Sequence, residues 1–385
     1  MSQLPTPARA MKIAIVHDYL NQMGGAENVL LVLHDLFPQA PIFTTIYEPA
    51  LVDPAFRRMD IRTTFMQRLP FVHRHHQAFL PVFPFAIESI DLRGYSVVLS
   101  MSSAWSKNVI TRPEQCHVNY CLTPMRFAWT FEEYVARERL AEWQKPLLLP
   151  LVMGLRAWDV AGASRVDHFA GISATVNRRI RKYYRRDSAL IHPPVETRAL
   201  AAGAVDAGDD GYFLVVSRLI GYKRIDLAIE ACNRLKAPLK ILGDGRDRAR
   251  LQAMAGPNVE FLGWVDEETK RRHLRRCRAF IFPAEEDFGI APVEAIASGR
   301  PVVAYAAGGA LDVVEDGRTG LLFAKQTPEA LAQQLEAVGE QHWDGRALAA
   351  HASRFDTETF KSKLLRFVEE KSAEHVESSG ARRVK

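Results

Sequence analysis

The sequence predicts an α/β protein built from two doubly wound domains, each a parallel sheet wrapped by helices. Three observations carry this expectation. Short runs rich in Val, Ile and Leu alternate with helical patterns from Lys12 onward. The alternation breaks at residues 201–211 (AAGAVDAGDDG), a small, acidic stretch with linker composition, and then starts again. A chain of 385 residues also exceeds what one hydrophobic core usually serves.

Residues 1–10 (MSQLPTPARA) read as a disordered tail that lacks the apolar core of a signal peptide. KIAIVHDY (12–19) reads as a buried strand running into a loop with Gly24 and Gly25, followed by the helical pattern NVLLVLHDLF. Further strands are expected at 41–47, 95–102, 117–122, 167–173 and 188–194, with a helix at 174–184. These elements make up a first domain at 11–200. Beyond the linker, strands are expected at 212–219, 239–245, 259–263, 279–284, 301–306 and 320–323, with the helix PEALAQQLEAVGE after the last. They form a second domain at 212–350. A closing helix at 351–370 is expected to return to the first domain, and 371–385 to be a disordered tail. Ligands of such sheets bind beyond the carboxyl ends of the strands, which predicts a cleft between two facing domains.

Composition excludes several classes. Hydrophobic residues make up 48% and charged residues 25%, as in ordinary globular proteins. The net charge of +5 suits an anionic substrate, an anionic membrane surface, or nothing specific. The basic residues form no aromatic-interleaved strip, which argues against nucleic acid. Four cysteines without a CxxC pair suggest neither a zinc site nor a disulfide framework, and imply a reducing, cytoplasmic compartment. The apolar run at 147–153 (LLLPLVM) is short and interrupted by Pro150, so at most a peripheral contact with the inner membrane is expected.

The most informative segment is 281–323, IFPAEEDFGIAPVEAIASGRPVVAYAAGGALDVVEDGRTGLLF. A strand end is followed by Glu285 and Glu286, Gly289 lets backbone approach a ligand, and Pro292 suits the first turn of a helix carrying Glu294. Glu286 and Glu294 can face one pocket. Equally, Glu294 can complement the helix dipole while Glu286 is solvated.

This segment resembles the donor-site signature of glycosyltransferase family 4, the retaining family with the two Rossmann-like domains of the GT-B fold. Val216-Ser217-Arg218-Leu219 with Lys223 resembles the family's diphosphate clamp. Gly243-Asp244-Gly245 resembles its GDG turn, and Gly24-Gly25-Ala26-Glu27 its GGxE loop. The resemblance implies that Arg218 and Lys223 offset charge on a departing nucleoside diphosphate, with Glu286 contacting sugar hydroxyls in support of the transition state. It also implies that Glu294 holds the ribose, while Gly24, Gly25, Gly243, Phe288, Gly289 and Ile290 shape the donor site. The sequence has no convincing DxD metal site, since DAGDD at 206–210 is better explained as linker. Two cations can take the place of a divalent ion. No metal and no cofactor are therefore expected, the nucleotide sugar being a co-substrate.

The stretch HVNYCLTPMRFAWT (117–130) is similar to the YxHTPMRYxWD segment of mannosyltransferases that build O-antigen and exopolysaccharide. Arg126 and Trp129 are its acceptor-side candidates. Leu122 stands where that group has histidine, Thr130 where it has aspartate, and Asp312 replaces a glutamate further on. The resemblance implies transfer of a hexose, mannose from GDP-mannose, to a lipid-linked surface-polysaccharide precursor. The alternatives are a UDP-sugar-dependent exopolysaccharide enzyme and a non-catalytic component that binds nucleotide sugar.

Two further regions carry charge. Residues 64–87 combine Phe71, Phe79 and Phe83 with Arg68, His73, Arg74, His75 and His76, and suit either a lipid headgroup region or an irregular, partly buried loop. A metal site at these histidines is not expected, because no carboxylate or cysteine lies near them in sequence. The basic run from Arg178 to Arg186 reads as a solvated helix or as an attractor for a pyrophosphate-lipid.

Overall fold

The structure, a computed structural model, describes residues 11–131, 143–202 and 208–381. Those residues divide into two compact units: one reaches to Ile191 and resumes at Lys361, the other is His192–Phe360.

The first unit holds a seven-stranded sheet of β1 (Ile13–His17), β2 (Ile42–Thr44), β3 (Ile61–Thr63), β4 (Val97–Ser102), β5 (Cys116–Cys121), β6 (His168–Gly171) and β7 (Ser188–Leu190). All pairings are parallel, in the order β3-β2-β1-β4-β5-β6-β7. The second unit holds β8 (Phe213–Val216), β9 (Leu239–Leu242), β10 (Val259–Gly263), β11 (Ala279–Phe282), β12 (Val302–Tyr305) and β13 (Gly320–Phe323). These too are parallel, in the order β10-β9-β8-β11-β12-β13. Continuous burial of β4 and β11 explains their unbroken apolar or small-residue runs, since helices cover both faces of a parallel sheet; β1 and β5 are as buried, though β1 ends in His17 and β5 carries His117 and Asn119 bonded to Ser100. The expected two-domain, doubly wound architecture is the observed one.

Each sheet reverses its strand order beside its first strand, between β1 and β4 and between β8 and β11. That crevice, at the carboxyl ends of the strands, is where open α/β sheets take ligands.

Differences from the sequence reading have physical causes. Strand β3 escaped it: three residues at a sheet edge, half-buried or exposed, with Arg62 ion-paired to Asp60 at 2.7 Å, carry charge rather than an apolar pattern. The units change over at 191–192 rather than in the linker, because Val195 and Thr197 bond to Phe355 and Asp356 of the second unit. Residues 203–207 of that linker, and the tail at 1–10, lie outside the described residues.

The expected tail from 371 is helical to Ala381, within a helix Thr357–Ala381, and 382–385 are outside the described residues. Its stripe of Phe360, Leu364 and Val368 is buried, with Ser372 next along the same face. From Lys361 onward the helix belongs to the first unit, where Lys361 Nζ meets Asp35 Oδ2 at 2.6 Å.

The apolar run at 147–153 proves to be part of a helix Gln144–Arg165 that holds Pro150 and is long and apolar enough to cross a membrane. One face of this helix, Leu151, Leu155 and Trp158, packs on the core cluster that includes Val16, Val98 and Trp105. The same helix brings in Asp159, fully buried, which accepts hydrogen bonds from Lys107 Nζ, Trp129 Nε1 (2.7 Å) and Tyr184 Oη (2.8 Å). Burial and the neighbouring Asp159 push the Tyr184 phenol well above its ordinary pKa, so it remains a donor.

Candidate active site

The strands flanking the second reversal supply the predicted cations and carboxylate. β8 ends at Val216, and the chain continues through Ser217, Arg218 and Leu219 to a single helical turn, Gly221–Lys223. β11 ends at Phe282 and leads through Pro283 and Ala284 to Glu286. Lys223 Nζ lies 2.5 Å from Glu286 Oε1, with side chains 13% and 21% exposed. Lys223 also sits over the Tyr222 ring at 5.2 Å. Arg218 is exposed on the same loop and has no ion-pair partner among the described residues. The pair is thus a charge-neutral, mostly shielded contact, and the exposed Arg218 lies five residues earlier on the same loop.

Backbone packing fixes these loops. Gly243 has φ +125°, and a Cβ there would lie 2.0 Å from the Ser217 carbonyl oxygen. The GDG turn therefore acts by letting one backbone lie against another: Ser217 N donates to Leu242 O, and Leu219 N to Asp244 O. The Gly308-Gly309 turn does the same for Glu286. Gly309 N donates to Glu286 O at 2.8 Å, and a Cβ on Gly309 would stand 2.2 Å from Phe288 Cα.

Gly289 at φ +108° heads the helix Ile290–Ala297, which carries Glu294. The Phe288 ring is buried and stacked with His192 at 5.5 Å, while both rings contact Phe355. Phe288 can therefore offer a ligand its backbone but not its side chain. Asp312, one methylene shorter than the expected glutamate, has its Oδ1 3.4 Å from His192 Nε2.

Three side chains that matter here were not read from sequence. Lys270 Nζ lies 2.9 Å from Glu294 Oε1 and 2.9 Å from Glu267 Oε1. Burial raises the Glu294 pKa, and Lys270 pulls against that shift. Burial also opposes the charge on Lys270, yet Glu294 and Glu267 outweigh it and raise the ammonium above its ordinary value. Lys270 was hidden in EETKRRHLRR, where nothing separates one cation from its neighbours. Arg224, in the left-handed region at φ +51°, donates to Gln326 Oε1 at 3.1 Å, and Gln326 Nε2 donates to Pro283 O at 2.8 Å. Arg224 and Gln326 thus join the loops after β8, β11 and β13.

The remaining predicted residues lie in the first unit. Gly24 is extended backbone at the start of the helix Gly25–Leu36, where free amide groups suit an anion. Arg126 opens the short helix Arg126–Trp129. Trp129 stacks on Tyr183 at 4.5 Å and spends its indole N–H on Asp159, so much of its surface is structural. Leu122 is buried just past the end of β5. His117 is at the opposite end of that strand, fully buried, with Nε2 2.8 Å from Ser100 Oγ. Burial, Arg165 and Lys107 push its pKa down to about 3, and it cannot replace a histidine at 122.

Of the aromatics at 64–87, Phe71 is exposed, Phe79 half-buried, and Phe83 buried in a stack with Trp105 at 4.6 Å. The segment is not an irregular loop but a run of short helices, with Phe83 opening the helix Phe83–Glu88; Phe83 is buried, while Phe65 and Phe85 are exposed. His73 Nδ1 lies 3.8 Å from Glu48, a carboxylate remote in sequence. In the basic run, Arg186 is spent on the Ala163 and Asp167 carbonyls, and Arg181 pairs with Asp187 in solvent.

Comparison with known proteins matches residues 210–341 to the family described as glycosyl transferases group 1. That stretch contains Arg218, Lys223, Gly243, Lys270, Glu286 and Glu294. The chain is 37% identical over 123 residues to a GDP-mannose-dependent alpha-mannosyltransferase of Mycobacterium tuberculosis, covering 30% of this chain and 32% of that protein. It is 28% identical over 137 residues to O-antigen chain mannosyltransferase C of Escherichia coli, covering 34% and 37%. The chain spans about a third of the length of either relative. Among solved structures, Alr3699/HepE of Anabaena, in complex with UDP, superposes with a TM-score of 0.65 at 16% identity, covering 94% of this chain and 100% of that one. This likeness shows the fold: two Rossmann-like units of the GT-B type.

Proposed function

We propose that the chain is a retaining, metal-independent glycosyltransferase that moves mannose from GDP-mannose to a lipid-linked surface-polysaccharide precursor. The observation that carries this reading is the Lys223–Glu286 pair, on a loop that also bears the exposed Arg218, at the strand-order reversal of the second sheet. A nucleoside diphosphate leaving a sugar gains negative charge, which Lys223 and the unpaired Arg218 neutralise without a metal. Glu286, released from Lys223 as the diphosphate arrives, turns to the sugar hydroxyls. Glu294, kept in place by Lys270, accepts from the ribose. The mannosyltransferase relatives support the choice of donor.

A thermal-shift screen tests the donor, since a ligand that binds only the native state raises its stability. GDP and GDP-mannose are expected to raise Tm by several degrees and UDP-sugars to leave it unchanged. The reverse pattern supports the UDP-sugar reading. Binding without any turnover would instead support a non-catalytic component.

An acceptor carried by lipid calls for a face that meets the bilayer, and exposed apolar side chains of the first unit are the candidates for it. Trp143, Leu147, Leu149 and Met153, at or on the helix Gln144–Arg165, are exposed, as are Phe65, Phe71 and Phe85. Exposed Arg68 and Arg74 flank these phenylalanines. Vesicles containing phosphatidylglycerol should therefore sediment the protein, more weakly at high salt, and Leu147→Ser with Met153→Ser should reduce binding several-fold. Equal recovery with neutral phosphatidylcholine vesicles would remove the electrostatic part of this proposal.

A further inference from the structure

Away from the strand ends that carry the candidate active site, three side chains from distant parts of the sequence converge. Cys116 opens β5, Asp167 immediately precedes β6, and His375 comes from the Thr357–Ala381 helix. One ligand atom of each, Sγ, Oδ and a ring nitrogen, lies within 4.8 Å of the other two. This is the amino end of the sheet, the edge opposite to the one where doubly wound sheets bind their substrates. Neither the clamp nor the proposed transfer uses these residues.

We propose that Cys116, Asp167 and His375 form a Zn2+ site that fastens the C-terminal helix to the first sheet. The ligand set is suited to a borderline-soft ion: one thiolate, one imidazole and one carboxylate, with water as a fourth ligand in tetrahedral geometry. Zn–S near 2.3 Å and Zn–N or Zn–O near 2.0–2.2 Å imply about 3.3–3.7 Å between ligand atoms in tetrahedral geometry, so the observed set, spread over up to 4.8 Å, contracts by up to about 1.5 Å on binding.

The surroundings provide an independent observation. His375 Nε2 lies 3.0 Å from the Pro113 carbonyl oxygen, which can only accept, so Nε2 carries the proton. In the neutral ring that a metal binds, the lone pair is then on Nδ1, the nitrogen 3.8 Å from Asp167 Oδ2 and beyond hydrogen-bond length from it. Fixing a ligating histidine through its other N–H to a backbone carbonyl is the usual outer-shell arrangement at zinc. Asp167 Oδ2 is oriented likewise by the His117 amide at 2.8 Å. Cys116 is buried, with its thiol directed at the Lys371 carbonyl oxygen at 3.6 Å, while His375 and Asp167 are 15% and 35% exposed. The ion can enter from the Asp167 side, and its binding displaces the thiol proton to solvent.

Co2+ is the probe of choice, because a thiolate ligand gives it a near-ultraviolet charge-transfer band. The full chain, stripped with chelator and then freed of it, is expected to bind one Co2+ with that band, and Zn2+ should displace it. Cys116→Ser should abolish the band. His375→Ala and Asp167→Asn should each weaken binding more than about tenfold. Zn2+ should raise the Tm of the wild type but not of His375→Ala, with circular dichroism confirming that both are folded. His73 and His75 offer a competing surface site, so His73→Ala with His75→Ala should leave the band intact. A wild type without a saturable thiolate band, or a band that survives Cys116→Ser, overturns the proposal. Neither outcome bears on the glycosyltransferase reading.

Discussion

Replacing Lys223 with alanine is expected to lower donor turnover about 10²–10³-fold, the loss seen when one preorganised charge partner of a developing anion is removed. The effect should fall mainly on kcat, because the ammonium counts for most when the diphosphate leaves. Lys223→Ala also leaves Glu286 without its partner. The pair is 13% and 21% exposed, so water reaches the orphaned carboxylate and the stability loss should be only about 1–2 kcal/mol. Arg218 provides the contrast. It is exposed and has no ion-pair partner among the described residues, so Arg218→Ala should reduce turnover while leaving Tm unchanged. Nucleoside diphosphate release, followed beside a melting curve, separates the two effects. Near wild-type release from Lys223→Ala would remove the clamp from the mechanism.

Asp159→Ala should produce the largest loss of stability, about 3–5 kcal/mol, by leaving a buried ammonium without a counter-ion. Lys107 and Asp159 are both essentially inaccessible, and the carboxylate also serves Trp129 and Tyr184. Its loss takes the acceptor from Trp129 and Tyr184 at once and leaves the Lys107 ammonium only Asn108 Oδ1. The ion pair itself need not stabilise relative to an apolar core. The double variant Lys107→Met, Asp159→Leu should therefore be more stable than Asp159→Ala alone, despite carrying one more substitution. Denaturant midpoints give both numbers. If Asp159→Ala unfolds with the wild-type midpoint, the network is not a structural anchor of the helix Gln144–Arg165. Trp129 would then be released for the acceptor-side role its sequence context suggests.

The fold was legible because the buried parallel strands leave apolar runs that punctuation separates, and twelve of the thirteen strands show that signal. Strand β3 does not, since an edge strand with a salt-bridged arginine looks like a loop. The candidate clamp residues came from the resemblance of their motifs, and the structure brings two of them, Lys223 and Glu286, into contact from the loops after β8 and β11. Lys270 was not legible, because its importance lies in meeting Glu294 across a turn of fold, and its own helix is rich in cations. The Cys116, Asp167 and His375 cluster is the extreme case. Linear spacing argued against zinc, and only the return of the C-terminal helix brings the three ligands together. The helix Gln144–Arg165 was misjudged for another reason. The apolar run at 147–153 counted as too short to span a membrane, yet it lies inside a helix of 22 residues that continues through Pro150.

The central claim is metal-independent transfer from a nucleoside-diphosphate sugar, and release of GDP from GDP-mannose by the purified wild type, supplied with a lipid-linked saccharide extract to accept the mannosyl group, tests it most directly. The rate should be measurable without added divalent ion and should change less than about twofold when Mg2+ is supplied, because Lys223 and Arg218 already provide the positive charge. Avoiding chelator keeps any zinc at Cys116 in place. No GDP release, or release only with Mg2+, would contradict the account.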